Sequence, residues 1–198
     1  MGLISPRRIV YCEGRDKPGP GGAEKGLYAN VFNEIFGAEQ TDCQFVSSGG
    51  NTEPDQRSAI ALAILSKGFP SLEIWVVKDR DTNSGKRVSE ADRLQALKDG
   101  PPTLRTLRRW EIENYLFDEE VLAAFCQKRG RTFDEAGHVK LVGNIADDDV
   151  KGIANALKVL CGLDTNYPTE KFKVELAAAV TPQMDVYAEP TDCIFSRK

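Results

Sequence analysis

Histidine is almost missing from this chain: His138 stands alone among 198 residues. One imidazole excludes a metal site built from several histidines and argues against a Ser-His-Asp relay. Cysteine is sparse and scattered, with five at positions 12, 43, 126, 161 and 193 and no Cys-x-x-Cys pair. That pattern argues against a zinc site or a disulfide framework and predicts reduced, mostly buried thiols. No apolar run approaches the roughly 20 residues that span a bilayer, so no membrane association is expected. The first residues, Met1 to Arg8, lack the apolar core of a secretory signal, which makes the cytoplasm the expected location. There is no G-x-x-x-x-G-K-[ST] loop, so nucleotide hydrolysis of that kind would need another chain. Any chemistry falls to carboxylates, lysines and arginines.

Those are plentiful. Acidic residues number 30 and basic residues 26, for a net charge of −4. A protein that binds nucleic acid through its own charge is usually basic. A carboxylate cluster is negative only until cations join it, however, so acidity leaves a metal-dependent nuclease open. Hydrophobic residues at 41% and charged residues at 28% describe an ordinary globular protein.

Along the chain, strand and helix signals alternate. Arg8–Cys12 reads as a first strand and runs into Glu13-Gly14 and a Pro/Gly loop through Gly22. Leu27, Val31, Phe32, Ile35 and Phe36 recur at helical spacing, with Gly37 as the stop. A second strand, 44–48, ends in Gly49-Gly50, and a helix follows over about 54–67. Ile74–Val77 is the clearest buried strand and feeds Asp79-Arg80-Asp81. A polar helix at 88–97 precedes a fourth extended segment, 104–112, rich in arginine. Beyond Phe117, residues 118–128, 147–161 and 169–179 look helical. The fold expected is α/β, a parallel sheet flanked by helices over 1–117 with a helical extension over 118–198 packed on it.

Acid-x-acid spacing by itself is weak evidence. Composition alone gives roughly 4 to 5 such pairs, and the chain has six: 53/55, 79/81, 90/92, 111/113, 118/120 and 147/149. Context separates them. In a parallel sheet, ligands gather outside the carboxyl ends of the strands. Glu13, Gly49-Gly50, Asp79/Asp81 and Glu111/Glu113 follow four successive extended segments. Neighbouring acids carry plainer readings. Asp147-Asp148-Asp149 suits a helix N-terminus, His138 a surface or loop position, and Lys151, Lys158, Lys171 and Lys173 exposed helix charges. Asn114 and Tyr115 are expected to fix the turn after the fourth segment.

Glu13-Gly14 after the first strand, Asp79-Arg80-Asp81 after the third and Glu111-Ile112-Glu113-Asn114-Tyr115-Leu116 together resemble the Toprim domain, over roughly residues 7–120. The last segment is similar to the signature of the Toprim branch associated with OLD-like or ABC-type ATPases. The resemblance implies that Glu13, Asp79 and Asp81 hold a first Mg²⁺ or Mn²⁺, with Glu13 alternatively a general base. It implies a second ion held by Glu111 and Glu113. Lys17 stands where relatives carry a further acid, so Glu24 or Asp16 would take that place. Two ions about 3.5–4 Å apart activate water and stabilise a departing oxygen in phosphodiester cleavage. Gly14, Gly49, Gly50 and Arg109 would approach the substrate, and Lys78, Arg80, Arg109 and Lys140 are candidates for the cation that offsets phosphate charge. Also implied are an RNA or DNA substrate, tRNA included, an ATPase partner, and a role as the toxic effector of an antiphage system. A homodimer is left open. Two other readings stand beside it: a non-catalytic Toprim module that assembles with an ATPase or nucleic acid, and a response-regulator-like phosphoacceptor.

Overall fold

The computed structural model describes residues 6–14, 26–47, 53–81 and 86–196, without the side chains of 53–57, 62 and 66. Asp16, Lys17, Glu24, Gly49 and Gly50 lie outside the described residues. The chain divides into two compact units, one from 1–78 with 91–106 and the other from 79–90 with 107–198.

The first unit is a four-stranded parallel sheet in the order β2-β1-β3-β4, built from β1 (Arg8–Cys12), β2 (Cys43–Ser47), β3 (Glu73–Lys78) and β4 (Leu104–Thr106). Its helices are α1 (Leu27–Phe36), α2 (Glu53–Gly68) and α3 (Glu90–Asp99). Alternation along the strands sorts the side chains. Val10, Phe45, Trp75 and Val77 share one face, whereas Ile9, Val46, Ile74 and Val76 share the other. Phe32 and Phe36 of α1 stack on Phe45 at centroid distances of 5.0 and 5.8 Å, so α1 covers the first face. The Asn33 amide grips Phe45 through both its backbone groups, each at 2.9 Å. On the opposite face, Ser58 and Ala59 of α2 line a cavity of about 360 Å³ with Ile74, Val76, Lys78 and Leu104.

With β1 central, the chain steps outward to β2 and returns past it to β3. Helices therefore lie on both faces, and the direction of winding reverses between β1 and β3. On this same sheet Trp75 is flanked by the guanidiniums of Arg8 and Arg105, 4.0 and 4.1 Å from the ring centroid, from the two neighbouring strands.

The second unit is helical: α4 (Glu113–Leu116), α5 (Glu119–Lys128), α6 (Glu135–Leu141), α7 (Ala154–Leu160), α8 (Thr169–Ala177) and α9 (Asp185–Phe195). Phe172 anchors its core, stacked 6.2 Å from Phe117 and meeting Phe125 edge-on at 5.5 Å. Asp118 caps α5 by accepting from the Glu120 amide at 3.0 Å. No helix among the described residues is long and apolar enough to cross a membrane.

Several expectations change here. The fourth strand stops at Thr106, and Glu111 and Glu113 occupy a turn and the start of α4, so they are not alternate residues of a strand. His138 is buried in α6 rather than at the surface, with Nε2 bonded to the Phe117 carbonyl at 2.9 Å. A carbonyl only accepts, so that nitrogen carries the hydrogen. Lys158 is 2% exposed, and its ammonium donates to Asn155 Oδ1, Thr165 O and Tyr167 O.

Candidate functional site

Side chains, rather than a strand ladder, shape the segment that carries Glu111 and Glu113. The Tyr115 hydroxyl accepts from the amides of Arg108 and Arg109 at 3.2 and 3.0 Å, turning the backbone away from an extended path. Asn114, fully buried, accepts from the Glu111 amide at 2.9 Å. Its Nδ2 donates to Ile145 O and Asp148 O at 2.7 and 2.9 Å. The expected turn-fixing role of these two residues is what the structure shows. Arg109 completes the turn: its guanidinium donates to Asn114 O at 2.9 Å and pairs with Asp118 at 2.6 Å and Glu189 at 3.3 Å. Burial alone would lower the Arg109 pKa, but Asp118 and Glu189 raise it. Arg109 is thus bound into the scaffold of the turn.

Within the second unit the acids are set as follows. Glu111 is 5% exposed; its Oε1 accepts from Lys151 Nζ at 2.6 Å, and its buried Oε2 has no hydrogen-bond partner among the described residues. Glu113, more deeply buried, accepts from Lys173 Nζ at 2.6 Å. Asp79 is buried, and Asp81 pairs across a short antiparallel bridge with Arg87. Burial raises the Glu111 pKa; the Lys151 hydrogen bond and charge pull it back, and the charges of Glu113 and Asp149 add to the rise. For Lys151, burial lowers the pKa, yet the Glu111 bond and the charges of Glu113, Glu111 and Asp79 raise it on balance. The two ends of this pair lean in opposite senses. Lys151 is held charged, whereas Glu111 resists charging because one ammonium does not offset the burial of its carboxylate. Asp79, Glu111, Glu113 and Lys151 therefore share one electrostatic neighbourhood.

The basic candidates separate by surroundings. Arg80 is buried and committed to Asp147 and Glu90. Lys140 is exposed on α6. Lys78 closes β3 and lines the cavity of the first unit. Lys151 is exposed, as read from sequence, yet also meets Glu111, whereas Lys173 is largely covered where it meets Glu113. No spacing signal pointed to them, because the contacts span 40 and 60 residues.

In the first unit, Glu13 follows β1 directly and is partly buried. Gly14 has a φ of +119°, and a Cβ there would lie 3.2 Å from Ser47 Oγ. Glycine at that position thus meets a backbone requirement and a close approach to β2. Each acid of the 147–149 run has its own work: Asp147 takes Arg80 and Arg87, Asp148 accepts from the amides of Gly143 and Asn144, and Asp149 accepts from the Lys151 amide.

Among the described residues, no group of three or more Asp, Glu, His or Cys side chains is arranged to hold a metal ion. The local chemistry nonetheless fits a cation at Glu111, whose Oε2 is a buried carboxylate oxygen without a donor.

No family model matches the chain, and no curated protein does. Among solved structures, the chain is similar to the C-terminal region of the Burkholderia pseudomallei OLD protein. Identity is 13% and the TM-score 0.46, over 97% of this chain and 98% of that one.

Proposed function

We propose that this chain is a Toprim-type, divalent-metal-dependent nuclease that hydrolyses phosphodiester bonds in RNA or DNA. The observation that carries the reading is Glu111: a deeply buried carboxylate with one oxygen on Lys151, the other without a donor, and Asp79 close enough for its charge to act on the same lysine. By the motif resemblance Asp79 and Asp81 would hold Mg²⁺ or Mn²⁺, Glu111 offers a buried carboxylate oxygen without a donor, and Glu13 is assigned to the metal by the motif alone. The bound cation supplies an activated water and neutralises charge on the phosphate. Lys151, kept protonated by the surrounding acids, adds positive charge where the phosphate gains negative charge. Glu113, neutralised by Lys173, maintains the turn. Motif resemblance alone supports control by an ATPase partner and an antiphage effector role.

The test is Mn²⁺- and Mg²⁺-dependent cleavage of single- and double-stranded DNA and of RNA, tRNA included, by the wild type and by Glu13→Ala. The wild type is expected to cut at least one of these, and the variant to lose on the order of 10²-fold or more. A wild type that cuts none of them with either metal, or a variant that cuts as fast, ends this reading. The non-catalytic alternative predicts binding without cleavage.

A further inference from the structure

Asp79 and Asp81 alternate with an arginine, and a second arginine lies opposite Asp81. Both guanidiniums reach the same atom. Asp147 Oδ1 pairs with Arg80 Nη2 and, at 2.5 Å, with Arg87 Nη1, while its Oδ2 accepts from Asn144 Nδ2 at 3.3 Å. The Arg80 side chain is 6% exposed, so its charge is buried and requires a counter-ion. Glu90 at 3.5 Å is the other acid within reach, and that residue is largely open to solvent. Backbone bonds continue the same connection. Val88 N donates to Arg80 O at 3.1 Å, Arg80 N to Trp110 O at 2.7 Å, and Trp110 N to Ala146 O at 3.0 Å. The segment bearing Asp79 and Asp81 is thereby fastened, within the second unit, to the turn before Glu111 and to the loop at 144–148.

We propose that Asp147 is a positioning residue for the Asp79–Asp81 carboxylate pair: by binding Arg80 and Arg87 together it sets the geometry in which that pair takes a divalent cation. The inference rests on the reading that Asp79 and Asp81 hold the metal. It assigns Asp147 no contact with metal or substrate. Outer partners that orient ligands this way typically contribute about 10- to 100-fold in metal affinity.

The experiment is Mn²⁺ binding by calorimetry on the full chain, with thermal unfolding of each variant alongside. Asp147→Asn keeps the size and loses the charge; it is expected to weaken Mn²⁺ binding about 10-fold, with Asp147→Glu recovering most of that loss. Asp164→Asn, a charge loss in the exposed loop between α7 and α8, is expected to bind as the wild type does. Asp79→Asn is expected to abolish binding. If the wild type binds no Mn²⁺, or Asp79→Asn binds as tightly, the metal reading falls and the inference with it. If Asp79→Asn abolishes binding while Asp147→Asn only lowers the melting temperature, the metal reading stands and the inference alone is overturned. Should Asp147→Asn not fold, Arg87→Gln removes the more exposed partner; a roughly 3-fold weakening is expected, and unchanged affinity overturns the proposal equally.

Discussion

The two units bury different things. The first encloses apolar faces of a sheet, and among its described residues the buried polar ones are Arg93, Arg105 and Thr106. The second encloses Asp79, Arg80, Glu111, Glu113, Asn114, His138 and Lys158, seven of the ten buried polar residues described. In the first unit, the buried arginines donate to backbone carbonyls, Arg93 to Thr106 O and Arg105 to Pro102 O and Leu104 O, as scaffold pins. In the second, opposite charges are packed against one another with one acceptor left over. A unit that buries the ionisable side chains of Asp79, Arg80, Glu111 and Glu113 carries a desolvation cost that packing alone does not require. Function is the reading that makes such a cost intelligible.

The sharpest way to break that contrast is at Glu111. Glu111→Gln keeps the shape and removes the charge, and is expected to reduce metal-dependent cleavage by roughly 10²-fold or more while the protein stays folded. Unchanged turnover would make Glu111 a structural residue like Arg93. Next comes stability. Phe45→Ala in the first unit should cost about 3–4 kcal/mol through the cavity it leaves. Lys158→Ala in the second should cost roughly 3 kcal/mol by stranding three acceptors. Lys140→Ala, on an exposed face, should change the denaturation midpoint little. If Lys158→Ala were equally silent, the buried charges of the second unit would be incidental.

The smallest effect concerns thiols. Burial pushes the Cys43 thiol up to about 11, with Arg8 pulling it down and Asp42 and Glu73 adding to the rise. A raised pKa favours the protonated form in the fold, so this contribution to stability is complete below pH 9, the ordinary thiol value. It is lost as pH climbs through about 11. Folded protein at pH 8 should therefore react slowly with a thiol reagent at Cys43, and rapidly once denatured. Fast labelling of the native state at that residue would contradict the burial.

Legibility in the sequence followed how local each signal was. β1, β3 and the helix ending at Phe36 show in apolar spacing, because strand alternation and helical period act over a few residues. Leu104 to Ile112 reads as one extended segment because no glycine or proline within it marks the turn at Glu111. The bonds that end β4 come from Asn114 and Tyr115, and the carbonyls that hold the Asn114 Nδ2 lie more than 30 residues away. Helix α9 was missed because Pro190 sits inside it. Proline removes one helical donor, the one that would reach the carbonyl of Val186. Of the candidate acids, the motif order was visible at once. The lysines that meet them, and the aspartate that gathers Arg80 and Arg87, were not.

Asn33 holds one more consequence. β2 lies at the end of the sheet, and the outward amide and carbonyl of Phe45 are the groups to which another chain's strand would attach. By taking both, the Asn33 side chain denies that attachment at the middle of the strand. One helix residue thus doubles as protection against concentration-dependent aggregation, and a change there would surface first as lost solubility rather than lost catalysis.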